Sequence, residues 1–288
     1  MDAALTLKKQ VDSGAIRHYE EAQPYLEKSS LVQQLLSPLD TSVPYLLNRL
    51  IQLAEIPFSR EMPIVKEWVH LLFEKSFTGA GFSFTGKSND LLACYNAMIT
   101  RVLLLLQHPN TEGIYKGIDW ILQYQVVERG QVCTWEGKGI LKYGGCMKAT
   151  PCYIGLVKSM QALSTYIREY PQADEKIKQK LDKGLQYILE QRVYLRRSNE
   201  APITKDILKL TYPFTYKINV IEVLLLLKEN RLLKDQRCEE TKQYLLSKKN
   251  KQGRWRIHKV AYPKYWIPFD SSENEYSWLN YLLIKLLD

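Results

Sequence analysis

The side chains best suited to chemistry in this 288-residue chain are cysteines. Cys94 and Cys152 each stand just before a tyrosine at the head of an apolar run, while Cys133 and Cys146 lie in the intervening segment CTWEGKGILKYGGCMKATPC. Four thiolates are what a tetrahedral zinc ion or an iron–sulfur cluster takes, and a site of that kind closes a loop rather than catalysing. These spacings match no compact Cys-x-x-Cys knuckle, so burial as small apolar residues stands beside the metal reading. A redox reading uses the same residues. A thiol at a helix N-terminus is acidified, and Cys146, six residues before Cys152, is placed to resolve it as a disulfide. Cys238, in a charged helical segment, is expected to be inert.

Other catalytic sets are missing. His18, His70, His108 and His258 lack ligand spacing, and no glycine-rich phosphate loop or nucleophile elbow occurs in a supporting context. The net charge of +9 is spread over helix-face positions, as in 176–183 and 248–256, so no nucleic-acid partner is expected. Apolar runs such as Val223 to Leu227 fall far below the roughly 20 residues of a membrane span. With no signal-peptide pattern at the start, a cytoplasmic protein is expected.

The elements that position the cysteines form a repeat. PYLLNRLIQLAE, CYNAMITRVLLLL, CYIGLVKSMQAL, TYKINVIEVLLLL and EYSWLNYLLIKLL carry Tyr45, Tyr95, Tyr153, Tyr216 and Tyr276, spaced by 50, 58, 63 and 60 residues. Pro44, Pro151 and Pro213 precede tyrosines, so the tyrosines mark helix starts. Their apolar residues cover more than one face, which predicts helices packed on most sides. Between them, EGIYKGIDWILQYQ, KIKQKLDKGLQYILEQR and CEETKQYLLSKKN read as amphipathic outer helices with one wet face. Strand patterns are nearly absent, so the fold class is all-α. About four hairpins and a last inner helix are expected, with one or two more helices in 6–36.

The outer helices share a signature. Lys116-Gly117, Trp120-Ile121 and Gln125 recur as Lys183-Gly184, Tyr187-Ile188 and Arg192, then as Tyr244-Leu245, Lys249, Gly253 and Trp255. This spacing resembles the QW motif, in which a glutamine caps a neighbouring helix end while an aromatic packs beneath it. With it, 40–288 resembles the squalene-cyclase and protein-prenyltransferase superfamily of α/α toroids, especially small members of unassigned role. QGRWRI followed by ENEYSWLNYLLIKLL resembles their last loop and closing helix.

The resemblance implies a single domain. Repeated inner and outer hairpins would fill 40–288, and N-terminal helices in 1–39 would complete the toroid. It also implies a central cavity for an apolar or isoprenoid-like ligand. The inner helices would offer Tyr95, Asn96, Arg101, Tyr153, Lys158, Tyr216, Asn219, Glu222 and Tyr276, with Arg101 and Lys158 facing an anion and the tyrosines able to steady a cation. Asn48, Lys217 and Asn280 are further polar residues in apolar helices, each needing a partner, ligand or water. Parallel inner helices would bring Cys94, Cys133, Cys146 and Cys152 to one rim. Where small toroids carry a histidine before the last cysteine this chain has Thr150, which leaves a thiolate site only.

A terpene cyclase or prenyltransferase would need an Asp-x-Asp-Asp acid or an Asp-Asp-x-x-Asp magnesium cluster, and neither occurs. Asp270 is the sole weak general-acid candidate, and helix capping is its plainer role. The expected partner is therefore an apolar or anionic small molecule. The alternative is a non-catalytic helical-repeat scaffold, binding a ligand or protein and stiffened by a Cys-metal site.

Overall fold

A computed structural model describes residues 1–37, 40–137, 151–258, 264–270 and 277–288. Its described part is helical, with isolated bridges at Phe77–Phe82 and Leu195–Pro202 in place of strands. Three short helices come first: α1 (Ala3–Asp12), α2 (Tyr19–Lys28) and α3 (Ser30–Leu36). The expectation for 6–36 was one or two. Ser29 separates α2 from α3 by ending one helix and accepting the Val32 N–H of the next.

Buried and amphipathic helices then alternate. The buried set is α4 (Val43–Leu53), α6 (Ala93–Leu105), α8 (Tyr153–Glu169), α10 (Val220–Glu229) and α12 (Trp278–Leu287). The flanking set is α5 (Pro63–Ser76), α7 (Thr111–Tyr124), α9 (Glu175–Glu190) and α11 (Glu239–Ser247). In α8 every residue from Gly155 to Thr165 is buried, whereas α9 buries one stripe, including Ile177, Leu181, Leu185 and Ile188. Tyr45, Tyr95 and Tyr153 lie in the first turns of α4, α6 and α8. Tyr216 does not head α10: Asn219 accepts the Glu222 N–H and starts the helix at Val220. Tyr276 lies outside the described residues.

Neighbouring buried helices run parallel. A methyl on Gly155 would lie 3.3 Å from Ala93 Cβ near the heads of α8 and α6, and further along Arg101 Nε donates to Thr165 Oγ1 at 3.4 Å. Lys158 pairs with Glu222 early in α8 and α10, and Asn230 Nδ2 reaches Ser164 Oγ at 3.0 Å near their ends. The carboxyl ends of α10 and α12 meet where Lys228 donates to the Lys285 and Leu286 carbonyls. Distant parts of the chain also touch. Asp12 on α1 accepts from Lys285 and Tyr281 of α12, each at 2.8 Å, and Ile267 N–H donates to Gln52 Oε1 of α4 at 3.1 Å.

The recurring glycines sit where flanking and buried helices come closest. Gly117 presents its carbonyl to Asn96 Nδ2 at 2.9 Å, and Gly184 abuts Met160. Gln125, fully buried at the end of α7, accepts from Ser159 Oγ of α8 at 3.2 Å, tying one hairpin to the next. Arg192, in glutamine's place, stays exposed and binds Glu240, so that copy ties α9 to α11. A β-carbon on Gly117 would fall 2.2 Å from Thr100 Oγ1 and 2.9 Å from the Phe82 ring. Alanine in an open helix gains about 1 kcal/mol over glycine, but Gly117→Ala should cost about 1–3 kcal/mol by overpacking. A urea melt measures it, and a midpoint at or above wild type would show that the contact gives way.

Candidate functional site

Two adjoining pockets that share lining residues make up the cavity: α6, α8 and α10, the segment after α4 and the loop before α10 line both, α4 lines only the narrow part, and α12 with α1 only the wide part. Its narrow inner part, about 20 Å³, is bounded by Ile51, Ala54, Met98, Leu105, Lys158 and Thr215. Its wider part, about 430 Å³, is bounded by Tyr212, Leu225, Leu226, Trp278, Tyr281, Leu282, Lys8 and Asp12 among others. Glu55, Arg101, Gln161, Phe214 and Glu222 border both parts, so a polar floor lies between them. The wide part falls within the usual range for small-molecule sites, with apolar walls and a few convergent polar groups.

Lys158 and Glu222 anchor the floor at 5% and 1% exposure. The Lys158 ammonium donates to Glu222 Oε1 and, at 2.9 Å, to the Thr215 carbonyl, while Gln161 Nε2 donates to the same Glu222 oxygen at 3.2 Å. Burial pulls the Lys158 ammonium below the ordinary lysine range, and the Glu222 carboxylate opposes that pull. Glu222 Oε2 is buried with no hydrogen-bond partner among the described residues. Above it Tyr212 donates its hydroxyl to Glu55 Oε2 at 2.8 Å, and burial holds that phenol well above its usual range. Trp278 stacks on Tyr212, with ring centroids 6.1 Å apart, and its buried indole N–H has no acceptor among the described residues.

Of the residues expected at a cavity, Arg101, Lys158 and Glu222 therefore meet in one. Asn96, Asn219, Tyr95, Tyr153 and Tyr216 lie elsewhere. Asn96 holds the Phe82 N–H at 2.8 Å as well as the Gly117 carbonyl, and Asn219 caps α10 while donating to Thr211. Tyr153 donates to the Val193 carbonyl, while Tyr95 and Tyr216 stack on each other at 5.3 Å. Asn48 binds the Lys264 carbonyl at 3.2 Å, Asn280 clasps the Trp255 backbone and Lys217 pairs with Asp206 at 2.8 Å. Each amide has met its need for partners on backbone rather than in a cavity.

Gln161, Glu55, Tyr212, Phe214 and Trp278 were not anticipated from the sequence. Gln161 carried the signal that marked Lys158, a polar residue in an apolar helix. Tyr212 and Phe214 come from a long connection without periodicity, where nothing local announces a cavity wall. Asp270 is buried, and its carboxylate oxygens accept the Trp278 and Leu279 N–H groups at 2.7 and 2.9 Å, the arrangement of a helix cap. Burial raises its carboxyl above the usual range against those hydrogen bonds.

Cys94, Cys133 and Cys152 pack on one apolar cluster around Leu91, Leu92 and Trp120. Cys94 Sγ donates to Tyr216 Oη at 3.6 Å, and burial pushes its thiol up to about 11, so it is a neutral thiol. Cys238 is buried too, with its thiol pushed up to about 11. Cys146 and Thr150 lie outside the described residues. Among the described residues no group of three or more His, Cys, Asp and Glu side chains could hold a metal ion. The expected zinc or iron–sulfur site includes Cys146 and so falls partly outside the described residues.

Because the Lys158–Glu222 pair is dry, losing one partner strands the other charge. Lys158→Met or Glu222→Leu alone should cost about 3–5 kcal/mol, and the double variant less than the two single losses together. Urea denaturation of all four proteins checks this, and strictly additive losses would refute the coupling. No family model, curated protein or solved structure matches the chain.

Proposed function

We propose that the chain is a small α/α toroid of the terpenoid-cyclase and prenyltransferase kind that binds one apolar or isoprenoid-like molecule in its central cavity. One observation carries the reading: α6, α8 and α10 line two adjoining pockets, one completed by α4 and the wider one by α12, which share Glu55, Arg101, Gln161, Phe214 and Glu222 and have aromatic and aliphatic wall residues. Alternation with amphipathic helices and the contacts of α12 with α1 support a closed ring. No described helix is long and apolar enough to cross a membrane, so the apolar surface serves a ligand or the core.

Calorimetric titration with farnesol tests the reading. One molecule should bind per chain, and Leu225→Trp, which puts an indole into the wide part, should weaken it at least about tenfold, or 1.4 kcal/mol. Absence of saturable heat, or equal affinity in the variant, would overturn the proposal.

The scaffold with a Cys-metal staple draws on the packing of Cys94, Cys133 and Cys152 around one cluster, and it needs Cys146 to complete the site. Elemental analysis of untagged protein separates the two readings. Under the first, zinc and iron stay well below stoichiometric and do not respond to Cys94→Ser or Cys152→Ser. Near-stoichiometric metal lost in both variants would establish the staple.

A further inference from the structure

We infer that the cavity floor is a subsite for a zwitterionic head group, a cation beside a carboxylate, carried on an apolar body. The inference rests on the cavity reading above and specifies its ligand. Its basis is what the floor leaves unpaired. Glu222 Oε2 is an acceptor, buried and without a donor among the described residues, on a side chain that lines both parts of the cavity. Such an atom costs free energy unless a donor reaches it. Arg101 lines the same two parts, and its one hydrogen bond among the described residues runs from Nε to Thr165, which leaves its terminal nitrogens to an incoming group. Trp278 adds an indole N–H, buried and without an acceptor among the described residues, on a side chain that lines the wide part. One site thus lacks a donor at Glu222 and an acceptor at Arg101 and Trp278.

Charge narrows the choice. Arg101 and Lys158 are balanced in formal charge by Glu55 and Glu222, so the floor has no surplus to neutralise a diphosphate or a bare carboxylate. A simple amine meets Glu222 and leaves Arg101 unpaired. A zwitterion meets both without adding net charge, and Phe214, Leu225 and Leu282 receive its apolar remainder.

The test keeps one body and varies the head. 1-Dodecanol, dodecanoate, dodecylamine and 2-aminododecanoate are titrated calorimetrically into the whole wild-type chain. The zwitterion should bind at least tenfold more tightly than each of the other three. Arg101→Met should bring it to the level of dodecylamine, and Glu222→Gln to that of dodecanoate. Should Glu222→Gln fail to fold, the wild-type series and Arg101→Met still decide. Dodecanol and farnesol binding with no gain from the zwitterionic head would overturn this inference and leave the cavity reading standing. No binding by any of the five compounds would overturn both.

Discussion

A buried side-chain amide that answers both a backbone N–H and a backbone carbonyl is the device on which this fold depends. The described parts of the connections between the hairpins are irregular, and their peptide groups need partners outside a helix. Gln52 takes both groups of Ile267, Asn280 takes both groups of Trp255, and Asn96 takes the N–H of Phe82 with the carbonyl of Gly117. Each amide stands on a buried helix and holds a segment that arrives from elsewhere in the chain. The irregular segments are thereby fixed to rigid elements, and Asn219 at the head of α10 does the same beside Tyr212 by donating to the Thr211 carbonyl.

The cavity follows from the same economy of partners. Parallel packing of α6, α8 and α10 needs small residues where backbones approach, as at Gly155, and leaves Lys158, Gln161, Glu222 and Arg101 to meet at one level. Lys158 and Gln161 spend their donors on Glu222 and Thr215, yet one carboxylate oxygen is still unanswered. Tyr212 and Glu55 satisfy each other across the opening. Among the described residues, that Glu222 oxygen and the Trp278 indole N–H are thus left without partners on residues that line the wide part.

Much of the fold was legible because helical periodicity is a local property. The segments from Glu112, Lys176 and Cys238 announced the flanking helices α7, α9 and α11, and Gly117 with Gln125 announced how α7 meets its neighbours. Arg101, Lys158 and Glu222 were legible as polar interruptions of apolar helices. The same rule could not separate them from Asn96 and Asn219, since an amide that serves a distant loop and one that faces a cavity look alike in sequence. Tyr216 was assigned to a helix head because its repeat spacing was right, but a capping asparagine three residues later set the true start. Glu55, Tyr212 and Trp278 belong to the site through contacts between segments far apart in the chain, which no local pattern records.

Asp12 gathers Lys8, Lys285 and Tyr281 around one carboxylate, and so joins the first helix to the last. Closing a loop that long costs on the order of 5 kcal/mol of chain entropy, which grows only slowly with length. The hairpins, by contrast, are contiguous and can assemble in turn as the chain is made. Trp278, Tyr281 and Leu282 belong to the last of the described helices. A nascent chain therefore carries an open groove until α12 has been made, and the chamber comes into being in the same event that seals the seam.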